Sequence, residues 1–374
     1  MRRHWANRRR QALRPFSMTL LIATAALALG AARPETLSPS PPPASPPVFN
    51  GDLSVLTYNI HGLPWPVAWN RPAQLARIAA ELRMLRDEGR NPHIILFQEA
   101  FTQEARSIGR AAGYRYVAFG PAADVPGATL PPGTSSLSPV ARSWLKGEDV
   151  GKYVGSGLQI LSDYPIVGIH RIAYSPSACA GYDCLANKGA MMATVQLPGR
   201  EEPIDIVTTH LNSRGASRVS NDRSMRAYGL QIASLSAFIH SWHVPSRPLI
   251  VAGDFNVGKD KDRRETLLGA ADKRWVDANQ PVRDIYDMAA QGHIRLSADA
   301  AYSFHKAKDW AFYSDGNATD LRLTKIEVPF GHAADGSMLS DHVGYTATFR
   351  LSPQTRPVTT LARSKASRYA GEPA

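Results

Sequence analysis

The chain has 374 residues, of which 44% are hydrophobic, so it can bury one large core. Its formal net charge is +11, but six of the positive charges are arginines between residues 2 and 14, and the rest of the chain carries only +5. This mild positive charge suits any anionic partner, and simple solubility equally well, so charge does not choose a substrate. A zinc site is not expected, because the two cysteines have no second Cys/His pair at a matching spacing.

The N-terminal segment differs in composition from the rest of the chain. Residues 2–14 are basic and hold no acid, and residues 18–32 are mostly apolar and end in small side chains. This order predicts a signal peptide over residues 1–32 and a secreted or periplasmic protein. The alternative is a retained membrane anchor, although the apolar run is short for a transmembrane span.

The segments next to the predicted signal peptide and at the C-terminus also lack a core-forming pattern. Residues 33–50 are rich in proline and predict a stiff, extended linker. Residues 353–374 have no apolar periodicity and predict a flexible tail. The single folded domain is therefore expected over residues 51–352.

Within this domain, strand-like and helical apolar patterns follow one another. Leu75, Ile78 and Leu82, for example, recur at the spacing of one buried helix face. The sequence of elements predicts an α/β layered fold. In chain order the predicted elements are strand 53–60, helix 72–87, strand 94–97, helix 102–112, strand 114–119, a long surface loop over 121–150, strands 157–162 and 165–167 paired around a turn at 163–164, strands 190–197 and 204–210, helix 224–242 and a strand that ends near 254.

Five apolar segments end in side chains that can bind a cation or move a proton. At strand spacing Asp254 and Asn256 would point to the same side, and Gly253 before them would let the chain turn. One such ending is ordinary turn chemistry, but five in one chain are hard to explain in that way. Sites built from several strand ends recur in α/β enzymes. The five segments end at Asn59, at Glu99, at His210, at Asp254 and Asn256, and at Asp341 and His342.

In order and spacing these endings resemble the endonuclease/exonuclease/phosphatase superfamily, over residues 53–349. The resemblance implies an α/β fold, a four-layer sandwich of two mixed β-sheets flanked by helices, with the catalytic domain over residues 51–352. It also implies an enzyme that hydrolyses phosphoesters with Mg²⁺, for which Mn²⁺ could substitute. The motifs are Tyr58-Asn59, Gln98-Glu99, Thr209-His210-Leu211, Gly253-Asp254-Phe255-Asn256 and Ser340-Asp341-His342.

Glu99 is the main expected metal ligand, because its carboxylate follows an apolar strand and Mg²⁺ prefers oxygen donors. Asn59 would add a neutral oxygen, and Asp341 would complete the metal site. Because Mg²⁺ keeps several waters, we expect few protein ligands.

His342 is expected to be the general base for the attacking water, since imidazole titrates near neutral pH. The resemblance assigns Asp309 as the carboxylate that orients it, although a tryptophan follows this aspartate where family members have Tyr or Arg. Asp254 would orient the water and Asn256 would hold the phosphate. His210 would donate to a non-bridging oxygen, or it would simply be a strand-end histidine capped by backbone.

Residues 183–193 resemble secreted neutral sphingomyelinases, chiefly in Lys188-Gly189 before a strand. The expected substrate is therefore sphingomyelin at a membrane surface, cut to ceramide and phosphocholine. Lys188 would approach the phosphate or be a solvated charge, and Trp65 and Trp69 would contact lipid or pack in a loop. The alternatives are a secreted DNase-like endonuclease acting on nucleic acid and a catalytically inactive binding module on the same fold.

Two further features have no assigned role in catalysis. Cys179 and Cys184 are close enough in sequence to form a small disulfide loop in an exported protein, which would contribute about 2 kcal/mol. Eight histidines, His61 among them, have no motif partner. The sequence implies no protein partner, and we expect a monomer.

Overall fold

A computed structural model of the chain describes residues 46–134, 142–276 and 280–354. The predicted signal peptide, most of the predicted linker and nearly all of the predicted tail lie outside these residues. No helix in the described part is both long enough and apolar enough to cross a bilayer.

Twelve strands in the described residues form two six-stranded sheets. The first sheet contains β1 (Asp52–Gly62), β2 (Ile94–Ala100), β3 (Tyr116–Phe119), β4 (Gln159–Ser162), β11 (Thr319–Glu327) and β12 (Tyr345–Pro353), in the order β11-β12-β1-β2-β4-β3. The second contains β5 (Ile166–Ala173), β6 (Gly189–Val195), β7 (Ile204–His210), β8 (Leu249–Asp254), β9 (Arg283–Asp284) and β10 (Asp309–Ser314), in the order β5-β6-β7-β8-β10-β9. Both sheets are mixed, because β1 and β2 are parallel, β7 and β8 are parallel, and the other paired strands are antiparallel.

Polar side chains set the starts of most helices. Thr102, Ser213, Ser220, Asp260, Asp284 and Ser297 each accept a hydrogen bond from a backbone N–H of the first turn, as N-caps do. The helices of the described residues are α1 (Arg71–Asp87), α2 (Gln103–Ala111), α3 (Arg214–Ser217), α4 (Asn221–Trp242), α5 (Lys261–Arg274), α6 (Ile285–Gln291) and α7 (Ala298–Lys306).

Three apolar cores separate the four layers. Leu96 of β2 and Ile206 of β7 belong to the core between the two sheets. Ile78 of α1 packs in the core on the outer face of the first sheet, and Leu235 of α4 in the core on the outer face of the second. The predicted four-layer α/β sandwich is therefore confirmed.

The strand register brings the predicted polar ends to one edge of the sandwich. Asn59 lies opposite Gln98, so Glu99 follows at the end of the neighbouring parallel strand. His210 lies opposite Asp254, which in turn lies opposite Asp309 of β10. The carboxyl ends of both parallel pairs thus meet at this edge, where ligands of α/β proteins commonly bind.

The predicted pairing of segments 157–162 and 165–167 is wrong. β4 already has β2 and β3 on its two sides in the first sheet, whereas β5 is an edge strand of the second sheet. The residues between them cross from one sheet to the other. Asp163 fixes this crossing, because its buried carboxylate pairs with Arg86 (2.8 Å) and accepts a hydrogen bond from Asn91 (2.8 Å).

Two other local predictions also fail. Gly253 makes no turn but lies inside β8, where a side chain would collide with the Thr209 carbonyl of β7. The segment that ends in Asp341 and His342 is an irregular loop before β12 rather than a strand. Ser340 holds that loop, since its hydroxyl donates to the Asn59 carbonyl (2.7 Å) and accepts from the His342 N–H (3.2 Å).

Candidate active site

Asn59 joins carboxylates from both sheets. Its Nδ2 donates to Glu99 Oε1 (2.9 Å) and to Asp254 Oδ2 (3.0 Å), while its Oδ1 accepts from the His61 N–H (3.0 Å). In this arrangement the carboxamide offers N–H rather than oxygen to the two carboxylates, and it holds them together. Its role as a metal ligand stays a prediction.

Glu99 has a backbone conformation that glutamate rarely adopts. Its φ is 58°, in the left-handed region, and such strain clusters at functional sites. Its side chain is 19% exposed, more than those of its partners Asp254 and His210. Burial raises the pKa of the carboxyl group. A bound cation would offset the cost of burying this charge.

His210 lies among groups of both charge signs. Its Nε2 is 3.5 Å from Asp254 Oδ2, 3.9 Å from Glu99 Oε1 and 3.2 Å from Lys188 Nζ. Burial and the Lys188 charge lower the pKa of His210 to about 3, so the ring is neutral at pH 7. A neutral ring can donate from Nε2 to a phosphate oxygen only in the tautomer with its proton there.

His342 and Asp309 form the ion pair that the resemblance implies. His342 Nδ1 donates to Asp309 Oδ2 (2.9 Å), and Nε2 lies 3.6 Å from Asp254 Oδ2. Burial lowers the pKa of His342, but Asp309 and Asp254 more than offset that effect and raise it to about 10. Asp309 is itself anchored through its carbonyl, which accepts from the hydroxyls of Tyr286 (2.6 Å) and Tyr345 (3.2 Å).

Asp254 lies between the two histidines. Burial would raise the pKa of its carboxyl, but the nearby His342 and His210 and the hydrogen bond from Asn59 lower it overall. Its other oxygen accepts from the Asn256 N–H (2.9 Å). Asp254 is therefore an anion that contacts groups from both sheets.

Asn256 is joined to the strand end at His210 by a hydrogen bond to the backbone of the next residue. Its Nδ2 donates to the Leu211 carbonyl (3.0 Å), and its φ of 50° is in the left-handed region that asparagine tolerates. The buried Arg263 donates to the carbonyls of Asn256 (2.9 Å) and Asn212 (2.6 Å). The structure brings Asn256 to the site, and its phosphate-holding role stays a prediction.

Asp341 lies at the rim. Its side chain is 54% exposed and accepts from His61 Nδ1 (2.6 Å). Although burial opposes the shift, this hydrogen bond and the nearby His342 hold the pKa of the Asp341 carboxyl well below its usual range. Buried Arg71 fixes the rim by donating to the carbonyls of Ile60 (2.7 Å), His61 (2.6 Å) and Leu339 (2.9 Å). His61 therefore has a partner, Asp341, that the sequence did not predict.

Lys188 is not a solvated surface charge. It is 6% exposed, and its Nζ contacts Asp183 (2.7 Å), the Leu211 carbonyl (2.7 Å) and His210. Asp183 also accepts from Asn212 Nδ2 (2.9 Å). Cys179 and Cys184 form a disulfide that brackets Asp183, which confirms that this pair can close a loop. In the sequence, the nearness of the acid Asp183 and the base Lys188 just before β6 was the signal for this ion pair.

The site residues suit a divalent cation. Glu99, His210 and Asp254 each place one ligand atom within 4.8 Å of the others, and so do Asp254, Asp309 and His342. The first group fits better, because the imidazole of the second is already paired with Asp309. Within the described residues Asp341 belongs to neither group. Carboxylate oxygens are the donors that Mg²⁺ prefers.

A family model described as the Endonuclease/Exonuclease/phosphatase family matches residues 56–342. The chain belongs to this family, as its motifs indicated. The match includes every predicted site residue from Asn59 to His342.

Curated relatives that are 24% to 26% identical to this chain bear sphingomyelinase names. "Sphingomyelinase" of Mycobacterium bovis is 24% identical over 299 residues, 79% of this chain and 52% of that protein. "Sphingomyelinase C 2" of Leptospira interrogans is 26% identical over 237 residues, 62% of this chain and 34% of that protein. The chain thus spans only 34% to 52% of the length of these relatives.

A solved structure supports the fold. A variant of Staphylococcus aureus beta toxin with bound magnesium ions has a TM-score of 0.52 to this chain at 18% identity, covering 79% of this chain and 99% of that one. At this identity the likeness concerns the fold alone.

Proposed function

We propose that the chain is a Mg²⁺-dependent phosphodiesterase that cleaves sphingomyelin to ceramide and phosphocholine. The single observation that carries the reaction class is the meeting of Glu99, Asp254, His210 and His342 at one edge, with side-chain atoms 3.5–3.9 Å apart in successive pairs. Membership in the family agrees with hydrolysis of a phosphoester bond.

In this proposal Glu99 holds the metal, with Asn59 and Asp254 beside it. When bound, Mg²⁺ supplies positive charge that neutralises the phosphate and stabilises the leaving oxygen. Burial raises the pKa of the Glu99 carboxyl, because it disfavours the charged form, and a cation bound there would stabilise that form.

The proton transfer is assigned to His342. The oxygen of a water attacks phosphorus, the bond from phosphorus to the ceramide oxygen breaks, and the water proton passes to His342 Nε2. Asp309 faces Nδ1 at 2.9 Å and stabilises the imidazolium that results. His342 must begin this step as a neutral imidazole, and the positive charge of a cation bound near Asp254 would lower its pKa from about 10.

The phosphate oxygens are assigned to three polar groups. Asn256 Nδ2 (3.0 Å) and Lys188 Nζ (2.7 Å) both donate to the carbonyl of Leu211, the residue that follows His210. Donors placed where charge develops lower the barrier more than donors that bind substrate and transition state equally. The ceramide oxygen takes up a proton from solvent water as it leaves, and His342 later returns its proton to solvent.

The choice of sphingomyelin rests on the names of the relatives and on the Lys188-Gly189 segment at the start of β6. Purified chain should be assayed with Mg²⁺ on sphingomyelin, a phosphoinositide, duplex DNA and a generic diester. We expect phosphocholine release from sphingomyelin as the fastest reaction and none of it in EDTA. A faster cut of DNA would replace the proposed substrate, and no Mg²⁺-dependent cleavage of any diester would refute the proposed reaction.

A further inference from the structure

The loop after β1 exposes three large apolar side chains beside the site. Trp65, Val67 and Trp69 are 66%, 69% and 72% exposed, and the two indole rings contact each other edge to face at 6.1 Å. Contiguous apolar surface of this kind is uncommon on a monomer and marks an interaction surface.

This loop is held in place rather than loose. The amides of Val67 (2.9 Å) and Ala68 (3.2 Å) donate to the Pro64 carbonyl, and Ala68 is buried. At its end Arg71 binds three backbone carbonyls at the site rim. The tryptophans are therefore presented outward by an ordered segment, which lowers the entropy cost of binding.

A second segment also exposes large apolar side chains. Trp144 and Leu145 are 71% and 62% exposed in a 3₁₀ turn, Trp144–Lys146. Buried Glu148 anchors this turn by accepting from the N–H groups of Ser143 and Gly181 and by pairing with Arg223.

The second segment is linked to the site through a short chain of contacts. Gly181 begins the turn that carries Asp183, and Asp183 pairs with Lys188, which contacts His210. The two segments therefore flank the same edge, one next to the end of β1 and the other next to the end of β7.

The charges near the second segment are mainly positive. Lys146 contacts the carbonyl of the exposed Arg218 (3.4 Å), and the exposed Arg214 lies 3.6 Å from Asp260. The exposed Asp149 is paired with Arg142 (2.6 Å). Indole rings next to basic side chains are typical of surfaces that sit in the lipid headgroup layer.

We propose that Trp65, Val67, Trp69, Trp144 and Leu145 form a tryptophan platform that docks on a phospholipid bilayer. The inference rests on the proposed function, because a lipid substrate keeps its phosphoester in the headgroup layer. His210, Asp254 and His342 are each under 10% exposed, so the edge itself must come to that layer. A platform on both sides of the edge would seat the site over one lipid headgroup.

The chain also provides a matched control. Of the six tryptophans in the described residues, four are exposed, and Trp242 is the one that lies away from the site. Trp242 ends α4 beside His243, which contacts Asp205 near the start of β7. His210 ends the same strand five residues further on, about 17 Å away at about 3.3 Å per residue.

The test compares Trp65→Ser/Trp69→Ser, Trp144→Ser and Trp242→Ser in the full chain. Vesicle binding is measured by sedimentation in EDTA, with vesicles of phosphatidylcholine and sphingomyelin. Turnover with Mg²⁺ is measured on those vesicles and on a short-chain sphingomyelin below its micelle concentration. Thermal unfolding of each variant checks that the fold is intact.

We expect the double variant to bind vesicles roughly tenfold or more weakly, because one large apolar side chain removed from water is worth about a factor of ten. Trp144→Ser should weaken binding in the same direction, and Trp242→Ser should not change it. Turnover should fall on vesicles but not on the soluble substrate.

The outcomes for the platform and for the proposed function are separate. Vesicle binding that depends on the platform tryptophans, without phosphocholine release, would support the platform and refute the substrate. Wild-type binding and vesicle turnover in the double variant, with phosphocholine released, would refute the platform alone. An equal loss for Trp242→Ser, or no vesicle binding by the wild type, would also refute it.

Discussion

Buried charges in the site are held by charged or hydrogen-bonding side chains. Lys188 and Asp183 are each about 5% exposed and 2.7 Å apart, and His342 and Asp309 are 2.9 Å apart. Removing one member of such a pair leaves the other charge buried and unpaired, which costs several kcal/mol. Each of these residues is therefore expected to affect both stability and activity, and a mutant must be tested for both.

Glu99→Gln is expected to abolish Mg²⁺-dependent turnover, by at least a factor of about 100, while the chain still folds. The variant keeps the shape of the side chain but loses the charge that would hold the cation. Mg²⁺ binding by calorimetry and phosphodiester turnover are the measurements. Glu104→Gln, on the exposed first turn of α2, is the matched control and should behave like the wild type. Normal Mg²⁺ affinity in Glu99→Gln would contradict the assignment.

His342→Ala should lose several orders of magnitude in kcat, and Asp309→Asn should lose somewhat less. If the pair acts as one unit, the double variant should be little worse than His342→Ala alone, because Asp309 acts through that ring. Steady-state kinetics of the two single variants and the double variant measures the energetic coupling between His342 and Asp309. Losses that simply multiply would show that Asp309 has no such role.

At this scale the sequence predicted the residues that end strands, but not their partners. Asn59, Glu99, His210 and Asp254 stand in motifs that the strand register brings to one edge, and His342 reaches that edge from the loop before β12. The ion pair of Lys188 and the pairing of His61 with Asp341 form across loops, and the last joins residues that are 280 apart in sequence. No apolar–polar pattern fixes such contacts, because they depend on how the loops beside the strands fold.

Helix α4 is pinned to the second sheet at the end far from the site. Asp205 of β7 is fully buried and accepts from Thr194 (2.8 Å) and from His243 (3.0 Å), just beyond the helix. Arg247 lies 3.4 Å from the same carboxylate. This contact holds the layers together but does not touch the site.

Asp205→Asn is therefore expected to cost about 1–3 kcal/mol of unfolding free energy at pH 7 and to leave kcat nearly unchanged. Urea unfolding and turnover are the measurements, with exposed Asp124→Asn as the control. A loss of activity without loss of stability would contradict the structural role.

The same residue gives a pH dependence with a definite sign. Burial would raise the pKa of Asp205, but hydrogen bonds from His243 and Thr194 outweigh it and lower the pKa. A lowered folded pKa means that the charged carboxyl contributes stability above the unfolded value of about 3.9, and that this contribution is lost as pH falls through the folded value. The stability gap between wild type and Asp205→Asn should stay constant down to about pH 5 and shrink below about pH 4. A gap that grows on acidification would contradict this.

Element types were predictable, because long apolar segments keep one period. Strand β1 and helix α1 are found within two residues of their predicted bounds. That β4 and β5 belong to different sheets was not predictable from spacing, since a short turn can join strands of one sheet or of two. Likewise, side-chain hydrogen bonds of Ser340 hold the segment before β12 as a loop, without the backbone pairing of a strand. An apolar–polar pattern cannot distinguish such a loop from a strand.

At the scale of the whole molecule, the carboxyl ends of two parallel strand pairs, one from each sheet, lie at one edge of the sandwich. One edge thus combines carboxylates, imidazoles and a buried lysine, and loops with exposed tryptophans flank it. The fold alone does not choose among phosphoesters, because in the proposed mechanism these side chains act on the phosphate and not on the groups that it joins. Substrate choice must come from the surface around the edge.

Hydrolysis of sphingomyelin vesicles and of plasmid DNA by the purified chain, in parallel across a salt series with Mg²⁺ or EDTA, tests the central claim most directly. We predict Mg²⁺-dependent release of phosphocholine, with little plasmid nicking at any salt. A DNase would depend on phosphate contacts and would lose activity steeply as salt rises. Efficient, salt-sensitive nicking without phosphocholine release would contradict the sphingomyelinase proposal while leaving the metal-dependent mechanism intact.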